Sequence, residues 1–362
     1  MKDIEVLIIG GGPAGLCAAS AAASMGANVL ICERNQDLGG QLMIQTGKFF
    51  GNRHAGMRGF QIGAELLQEI AAYPQIEVWT GATVLGIYED GVVTCLYQGE
   101  HQKIKPAKII IATGASENFL SFPGNDLPGV YAAGAAETFV HAGVKPAERV
   151  LMVGAGNIGL TVSYQLKQSG VDVAAVIEVM PQIGGYLVHA SKLQRCGIPI
   201  KTSMTIAEAY GNGKVEGAKI VKLDENRQVI PGSEEDIVCD AICLSVGLSP
   251  LAELCWLAGC KMACIRELGG CVPLVDQTME TTVSGVYAAG DVSGLEEATT
   301  AMLEGRLAGI SAAAALGYKV DQAAEMQEAC RRELKTLRSG PMSEKIRHGL
   351  EKMAAKRGAV VC

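Results

Sequence analysis

Two glycine triplets define the chemistry this chain is equipped for. Gly10, Gly12 and Gly15 follow the β-rich run 4–9, and Gly154, Gly156 and Gly159 follow the β-rich run 149–153. In such a triplet the first glycine permits a tight turn. The second lets a pyrophosphate reach backbone N–H groups, and the third lets a helix pack closely on its strand. A helix beginning at that turn offers unsatisfied N–H donors and partial positive charge to phosphates. Pro13 and Ala14 open the first such helix, where the missing N–H of proline is harmless; Asn157 and Ile158 open the second. Glu33 stands 18 residues past Gly15 and Glu178 19 past Gly159, each at the end of a second β-like run, where a carboxylate accepts hydrogen bonds from ribose hydroxyls. One such fingerprint is weak evidence. Two, each in strand–turn–helix context with its acid in place, predict two nucleotide sites.

The elements that must position these residues are themselves duplicated. After each acid comes an echo, Leu38-Gly39-Gly40-Gln41-Leu42 and Ile183-Gly184-Gly185-Tyr186-Leu187. The strand 108–114, ending Ala112-Thr113-Gly114, is matched by 240–247, ending in Gly247. Gly129-Val130-Tyr131-Ala132-Ala133-Gly134 returns as Gly285-Val286-Tyr287-Ala288-Ala289-Gly290, and only the later copy is followed by an acid, Asp291.

Composition narrows the class. The chain has 362 residues, 49% apolar and 19% charged, which excludes disorder as its dominant state. The net charge of −7 and 5% aromatics leave neither a basic field nor a stacking platform for nucleic acid. Val6 to Cys32 carries no charge, yet Gly10-Gly11-Gly12-Pro13 cuts it, and Asp3 and Glu5 spoil a signal-peptide start; no membrane span is expected. The 12 cysteines are scattered through apolar segments with no metal-ligand spacing, as in a reducing, cytoplasmic protein whose cysteines are small buried apolar residues.

These motifs resemble the two-dinucleotide-binding flavoproteins, which include thioredoxin reductase and the disulfide reductases. The resemblance covers residues 1 to about 318. It implies an α/β fold of two Rossmann-like, three-layer ββα domains: an FAD domain (1–118 and 249–320) with an NAD(H) domain (119–248) inserted, and a helical, basic tail (321–362). It also implies that FAD is held by Gly10, Gly12, Pro13, Ala14, Gly15, Glu33, Arg34, Gly40, Gln41, Leu42, Val84, Thr113, Gly114, Gly290, Asp291, Ala298 and Thr299. Asp291 would grip the ribityl chain, and a helix starting near Ala298 would point at the flavin ring. NAD(H) would be held by Gly154, Gly156, Asn157, Ile158, Gly159, Glu178 and Gly247. Glu178 is followed by Val179-Met180-Pro181 with no cation for a 2′-phosphate, which favours NAD(H) over NADP(H).

The redox cysteine pair of those reductases is absent: neither 38–46 nor 169–187 contains a cysteine. The segment from Leu127 through Thr138 to Gly143-Val144-Lys145-Pro146 is instead similar to subunits of multi-subunit amine and imino-acid dehydrogenases. So are Leu257-Ala258-Gly259-Cys260, Leu268-Gly269-Gly270 and Glu304-Gly305-Arg306-Leu307-Ala308-Gly309. That group includes hydrogen cyanide synthase, opine, hydroxyproline and proline dehydrogenases, and the large chain of sarcosine oxidase. The resemblance implies partners: a second FAD-containing flavoprotein that oxidises the substrate, plus an iron–sulfur protein. Two other readings stay open, a self-contained NADH-dependent reductase of a small electron carrier and a scaffold subunit with structural nucleotides.

Lys48, Arg53 and His54, with Arg58, form a basic loop that is a candidate neighbour of the flavin. No general acid–base constellation is evident, which suits hydride transfer, where the cofactors supply the chemistry. In the tail, 330–338 predicts a helix, 339–341 a break and 343–356 a second helix with Ile346, Leu350 and Met353 on one face. The tail is expected to dock on the body or on a partner.

Overall fold

The uncharged stretch from Val6 to Cys32 folds as strand, glycine turn, helix and strand. In the computed structural model, which describes residues 1–49 and 53–361, strand β1 (Lys2–Ile9) buries Val6, Leu7, Ile8 and Ile9 on both faces. This is the behaviour of a parallel strand covered on two sides, and it explains the unbroken apolar run. Helix α1 (Pro13–Met25) returns the chain to β2 (Val29–Glu33), all five of whose residues are buried. Helix α2 (Gly59–Ala71), β3 (Ile76–Thr80) and the meander β4 (Thr83–Ile87), β5 (Val93–Tyr97) and β6 (Glu100–Ile111) follow. The sheet order is β3-β2-β1-β6-β5-β4, parallel from β3 to β6 and antiparallel across β6-β5-β4.

Contacts divide the chain into two units, one of residues 1–116 with the chain from Ser249 onward, the other Glu117–Leu248. The short strand β7 (Ala115–Glu117) leads from the first to the second. The second unit holds β8 (Val130–Ala132), α3 (Ala133–His141), β9 (Arg149–Val153), α4 (Asn157–Gln168), β10 (Asp172–Glu178), α5 (Leu187–Arg195) and β11 (Ile200–Thr202). Then come β12 (Met204–Tyr210), β13 (Gly217–Lys222), β14 (Glu235–Val238) and β15 (Ala241–Leu244). Its parallel sheet, β11-β10-β9-β15-β8, has helices on one face. The antiparallel sheet β12-β13-β14 covers the other. These are the three ββα layers that the family resemblance implies.

Strand β16 (Leu248–Pro250) leads back to the first unit, which continues with α6 (Glu253–Leu257), β17 (Met262–Ile265), β18 (Gly270–Pro273), β19 (Val286–Ala288) and α7 (Ala298–Ala314). β19 adds to the sheet beside β6, in parallel. α7 lies against α1 at very short range: a Cβ on Gly305 would stand 2.0 Å from Ala14 O, and one on Gly309 2.3 Å from Ala18 O. Small residues are therefore required along this helix pair.

The last two helices, α8 (Val320–Leu337) and α9 (Glu344–Val361), belong to the first unit. Ala323, Cys330 and Leu334 of α8 enter the core formed with α1 and α7. Met353, with Ile346 and Leu350 beside it, packs on Ala263, Ile265, Leu268, Val272 and Leu274. The break falls where expected, but α8 begins ten residues earlier than 330.

The expectation for the cysteines needs correction at three positions. Cys17, Cys32, Cys95, Cys239, Cys243, Cys255, Cys260 and Cys330 are buried. Cys196 is exposed, and Cys264 and Cys271 are register partners across β17–β18, with Cα atoms 4.0 Å apart, joined as a disulfide. Period-two alternation is the reason: Ala263, Ile265 and Val272 turn toward α9, so Cys264 and Cys271 turn away from it.

Candidate functional site

In the first unit the glycine turn is dictated by close backbone approach. Gly10 has φ +109°, and a Cβ there would stand 2.3 Å from Ala112 O; a Cβ on Gly15 would meet Gly10 O at 1.9 Å. At Gly12 a Cβ would meet nothing within 4 Å. The second glycine is therefore not demanded by protein packing, and it leaves open backbone at the start of α1, which carries no side-chain cap. This is the space a pyrophosphate needs. The buried Glu33 carboxylate accepts from Gly11 N at 2.6 Å and from Asn35 N at 2.8 Å. Gly39 N donates to Gly11 O at 2.7 Å, and Gly40 packs on Gly12 before a 3-10 turn (Gly40–Ile44) that buries Leu42. Gln41 and Arg34 are exposed. Val84 lies on β4, whose approach is tied to Glu33 O by Ala82 N. Thr113 Oγ1 donates to Leu251 O at 2.6 Å, and Leu251 N to Gly114 O at 2.9 Å.

The other side of this site is the segment from Gly290 to Thr299. Gly290 has φ +79°, and its N–H donates to Glu304 Oε2 at 3.0 Å. Asp291 is pushed up to about 6, first by burial and then by the charges of Glu304 and Glu297, against the Glu296 amide that holds it down. Ala298 and Thr299 begin α7, whose N-terminus also lacks a side-chain cap. Burial pushes Glu296 up to about 7, opposed by its hydrogen bond to Arg338.

The second unit repeats the cradle. Gly154 has φ +108° and stands where a Cβ would meet Ser245 O at 2.1 Å; Gly159 would meet Gly154 O at 2.1 Å; Gly156, like Gly12, would meet nothing. Glu178 accepts from Ala155 N at 2.8 Å and from Met180 N at 3.0 Å. Gly184 N and Gly185 N donate to Ala155 O. Asn157 Oδ1 accepts from Tyr186 N at 2.8 Å, Ile158 is partly buried, and Gly247 (φ +106°) accepts at its carbonyl from Asn118 N. Glu117, at the end of β7, and Glu137, within α3, have no motif that marks them in the sequence. Glu117 accepts from Gly134 N at 2.8 Å, and burial pushes Glu137 up to about 7.

The basic loop is less definite. Lys48 pairs with Arg58 in an isolated antiparallel bridge, and residues 50–52 lie outside the described chain. His54 Nδ1 is buried without a hydrogen-bond partner among the described residues. Burial, then the charge of Arg53, lowers its pKa, which leaves the ring neutral at pH 7. Among the described residues no His, Cys, Asp and Glu cluster could hold a metal ion, and no helix is long and apolar enough to cross a membrane.

The family model described as pyridine nucleotide-disulphide oxidoreductase matches residues 4–305. The chain belongs to this family. It is a flavin oxidoreductase, and FAD and NAD(P)H are the cofactors of the family. The chain is 27% identical over 330 residues to an opine oxidase subunit of Agrobacterium tumefaciens (strain Ach5), covering 86% of this chain and 66% of the relative. It is 25% identical over 333 residues to the alpha chain of sarcosine oxidase from Corynebacterium sp. (strain P-1), covering 87% of this chain and 33% of the relative. The chain thus spans less than two thirds of the length of these relatives. Among solved structures, T. acidophilum thioredoxin reductase superposes with a TM-score of 0.73 at 24% identity, covering 87% of this chain and 99% of that one. The thioredoxin reductase-like fold and the likeness to opine and sarcosine oxidase subunits both stand.

The residues present fit two dinucleotides. Two open second glycines, two uncapped helix starts and two buried acids are what such ligands require, and each set recurs with the same internal hydrogen bonds.

Proposed function

We propose that this chain is the electron-transfer subunit of a multi-subunit amine or imino-acid dehydrogenase. On this reading the first unit holds FAD and the second NAD(H), with electrons exchanged with a partner that carries a second flavin or an iron–sulfur centre. The observation that carries the reading is the pair of complete cradles in a chain that lacks a redox cysteine pair at 38–46 and 169–187, together with relatives named as subunits.

When bound, the nicotinamide and the flavin supply the two-electron chemistry. The chain's part is to bind and orient. Gly10, Gly12, Gly15 and the open start of α1 receive one pyrophosphate, and Gly154, Gly156, Gly159 and the start of α4 the other. Glu178, with no nearby cation on the following segment, favours NAD(H) by repelling a 2′-phosphate. The start of α7, which has no side-chain cap, would lend partial positive charge to a reduced flavin bound beside it.

The test is anaerobic mixing of the flavin-loaded chain with NADH, alone and with co-eluting partner proteins. Bleaching of the flavin band by NADH, plus electron flow only when a partner is present, supports the reading. Full turnover with a dye by the lone chain would favour a self-contained reductase. No bleaching under either condition would leave a scaffold with structural nucleotides.

A further inference from the structure

The C-terminal helices bring one side chain to the back of the proposed flavin site. Arg338, at the end of α8, donates from Nε to both carboxylate oxygens of Glu296 at 3.1 and 3.0 Å. From Nη2 it donates to Glu296 Oε1 and to Glu304 Oε1, each at 2.5 Å. The three side chains are 15%, 10% and 8% exposed, so this is an interior cluster. The second oxygen of Glu304 is engaged as well: Gly290 N donates to it at 3.0 Å, and the Ser293 hydroxyl lies 3.2 Å away. Glu296 stands two residues before the first turn of α7. One guanidinium therefore ties down both ends of the 290–298 segment.

We propose that Arg338 is a positioning residue of the flavin site, holding Gly290-Asp291 and the start of α7 in place through Glu304 and Glu296. This rests on the reading of the first unit as the FAD site. Two buried carboxylates set this close repel each other unless a cation or a proton stands between them, and a planar fork engages both at once. Around Glu296 the cation is Arg338, while Glu304 and Asp291 add negative charge. The fork is itself held: Arg347 Nη1, on α9, donates to Arg338 O at 2.5 Å and to Gly340 O at 2.8 Å. The path runs from α9 through Arg347 and Arg338 to Glu304 and the Gly290 amide. The tail is thereby part of the flavin site's support.

The experiment titrates FAD into apoprotein of the full chain as wild type, Arg338→Lys and Arg357→Gln, and follows amide exchange at Gly290. Arg357 docks α9 through Leu274 O, Thr281 O and Asp276 but touches neither glutamate. Arg338→Lys keeps the charge and loses the fork. It is expected to weaken FAD at least tenfold, alter the bound flavin's visible spectrum and speed exchange at Gly290, while Arg357→Gln lowers the melting temperature and leaves FAD affinity unchanged. Wild-type affinity, spectrum and Gly290 exchange in Arg338→Lys would overturn the proposal, and so would equal weakening by Arg357→Gln. If Arg338→Lys does not fold, Arg347→Gln substitutes, with a smaller rise in Gly290 exchange expected and no change overturning the idea. Should wild type bind no FAD, the flavin reading fails, while Gly290 exchange still reports whether Arg338 holds the segment.

Discussion

Glu178 accepts a hydrogen bond from Ala155 N at 2.8 Å, so the acid that ends the second strand holds the glycine turn of its own cradle. Glu33 does the same to Gly11 N at 2.6 Å in the other unit. Each carboxylate thus fixes the loop before any ribose arrives.

Removing one acid should therefore damage one site and spare the other. In Glu178→Ala the Ala155 amide loses its partner, a cost of about 1–3 kcal/mol for a buried donor. If about 1.4 kcal/mol of that falls on the bound state, NADH affinity drops roughly tenfold. Flavin content should be unchanged. Glu33→Ala should give the opposite pattern, a pale protein that still binds nicotinamide nucleotide. Flavin absorbance and NADH titration read both, and equal losses at the two sites in either variant would contradict the assignment.

The glycines separate folding from binding. Gly10→Ala and Gly154→Ala combine a positive φ with a Cβ 2.3 and 2.1 Å from a carbonyl oxygen, so both should lower the melting temperature sharply. Gly12→Ala and Gly156→Ala meet no protein atom within 4 Å and should melt as wild type while losing FAD and NADH, respectively. Thermal melts of the apoprotein beside ligand titrations decide this, and a Gly12→Ala protein with normal FAD affinity would argue against a pyrophosphate at that turn.

How much of this was legible in the sequence follows from the range of the interactions. Gly10 to Glu33 and Gly154 to Glu178 are local units, each a strand, turn, helix and strand whose residue types are set within about 25 positions. The two cradles could be read directly, and the layers followed from the family resemblance. Arg338 could not, because its partners lie 42 and 34 residues away and nothing in 330–338 distinguishes it from the more exposed Arg331 and Arg332. The tail read as basic and amphipathic, yet the burial of Cys330 and Leu334 against α1 and α7 depends on the small residues that let those two helices approach. Cys264 and Cys271 escaped for a similar reason: their pairing depends on hairpin register, which Gly269 at φ +94° fixes.

Two carboxyls of the candidate flavin site should cost the apoprotein stability as pH rises through the weakly acidic range. Asp291 is raised from 3.8 to about 6 and Glu296 from 4.5 to about 7, both first by burial. At these two carboxyls the folded state binds more protons than the unfolded chain between about pH 4 and pH 7, so their contribution to stability falls across that window as pH increases. Asp291→Asn should flatten the lower part of the profile and raise the melting temperature at pH 7, while weakening FAD if Asp291 grips the ribityl chain. Melts of wild type and Asp291→Asn between pH 4 and pH 8 test this, and a difference between the two that stays constant from pH 4 to 7 would refute it.

Thiol chemistry should sort the cysteines by position. Cys196 is exposed and should be alkylated at once in the native protein, whereas Cys17, Cys255 and Cys330 are buried and should react only on unfolding. Cys264 and Cys271 turn away from the core and should label only after reduction. Cys264→Ser removes a closure over seven residues, worth about 2 kcal/mol in the chain-entropy account. Mass spectrometry after alkylation counts the sites, and labelling of Cys264 without reductant would show that the pair stands as thiols.

The C-terminal helices should prove integral to the first unit. Leu334 is 4% exposed in the core shared with α1 and α7, so Leu334→Ala should cost about 2–5 kcal/mol, the range for a large-to-small change in a packed interior. Lys352→Gln, by contrast, breaks only a partly solvent-exposed ion pair with Glu267 and should leave the melting temperature nearly unchanged. Because α8 also carries Arg338, loosening it at Leu334 should release FAD at lower denaturant concentration than unfolds the second unit. Urea titration followed by flavin fluorescence and by far-ultraviolet circular dichroism separates the two events. If Leu334→Ala retained FAD up to the same urea concentration as wild type, α8 would not be supporting the flavin site.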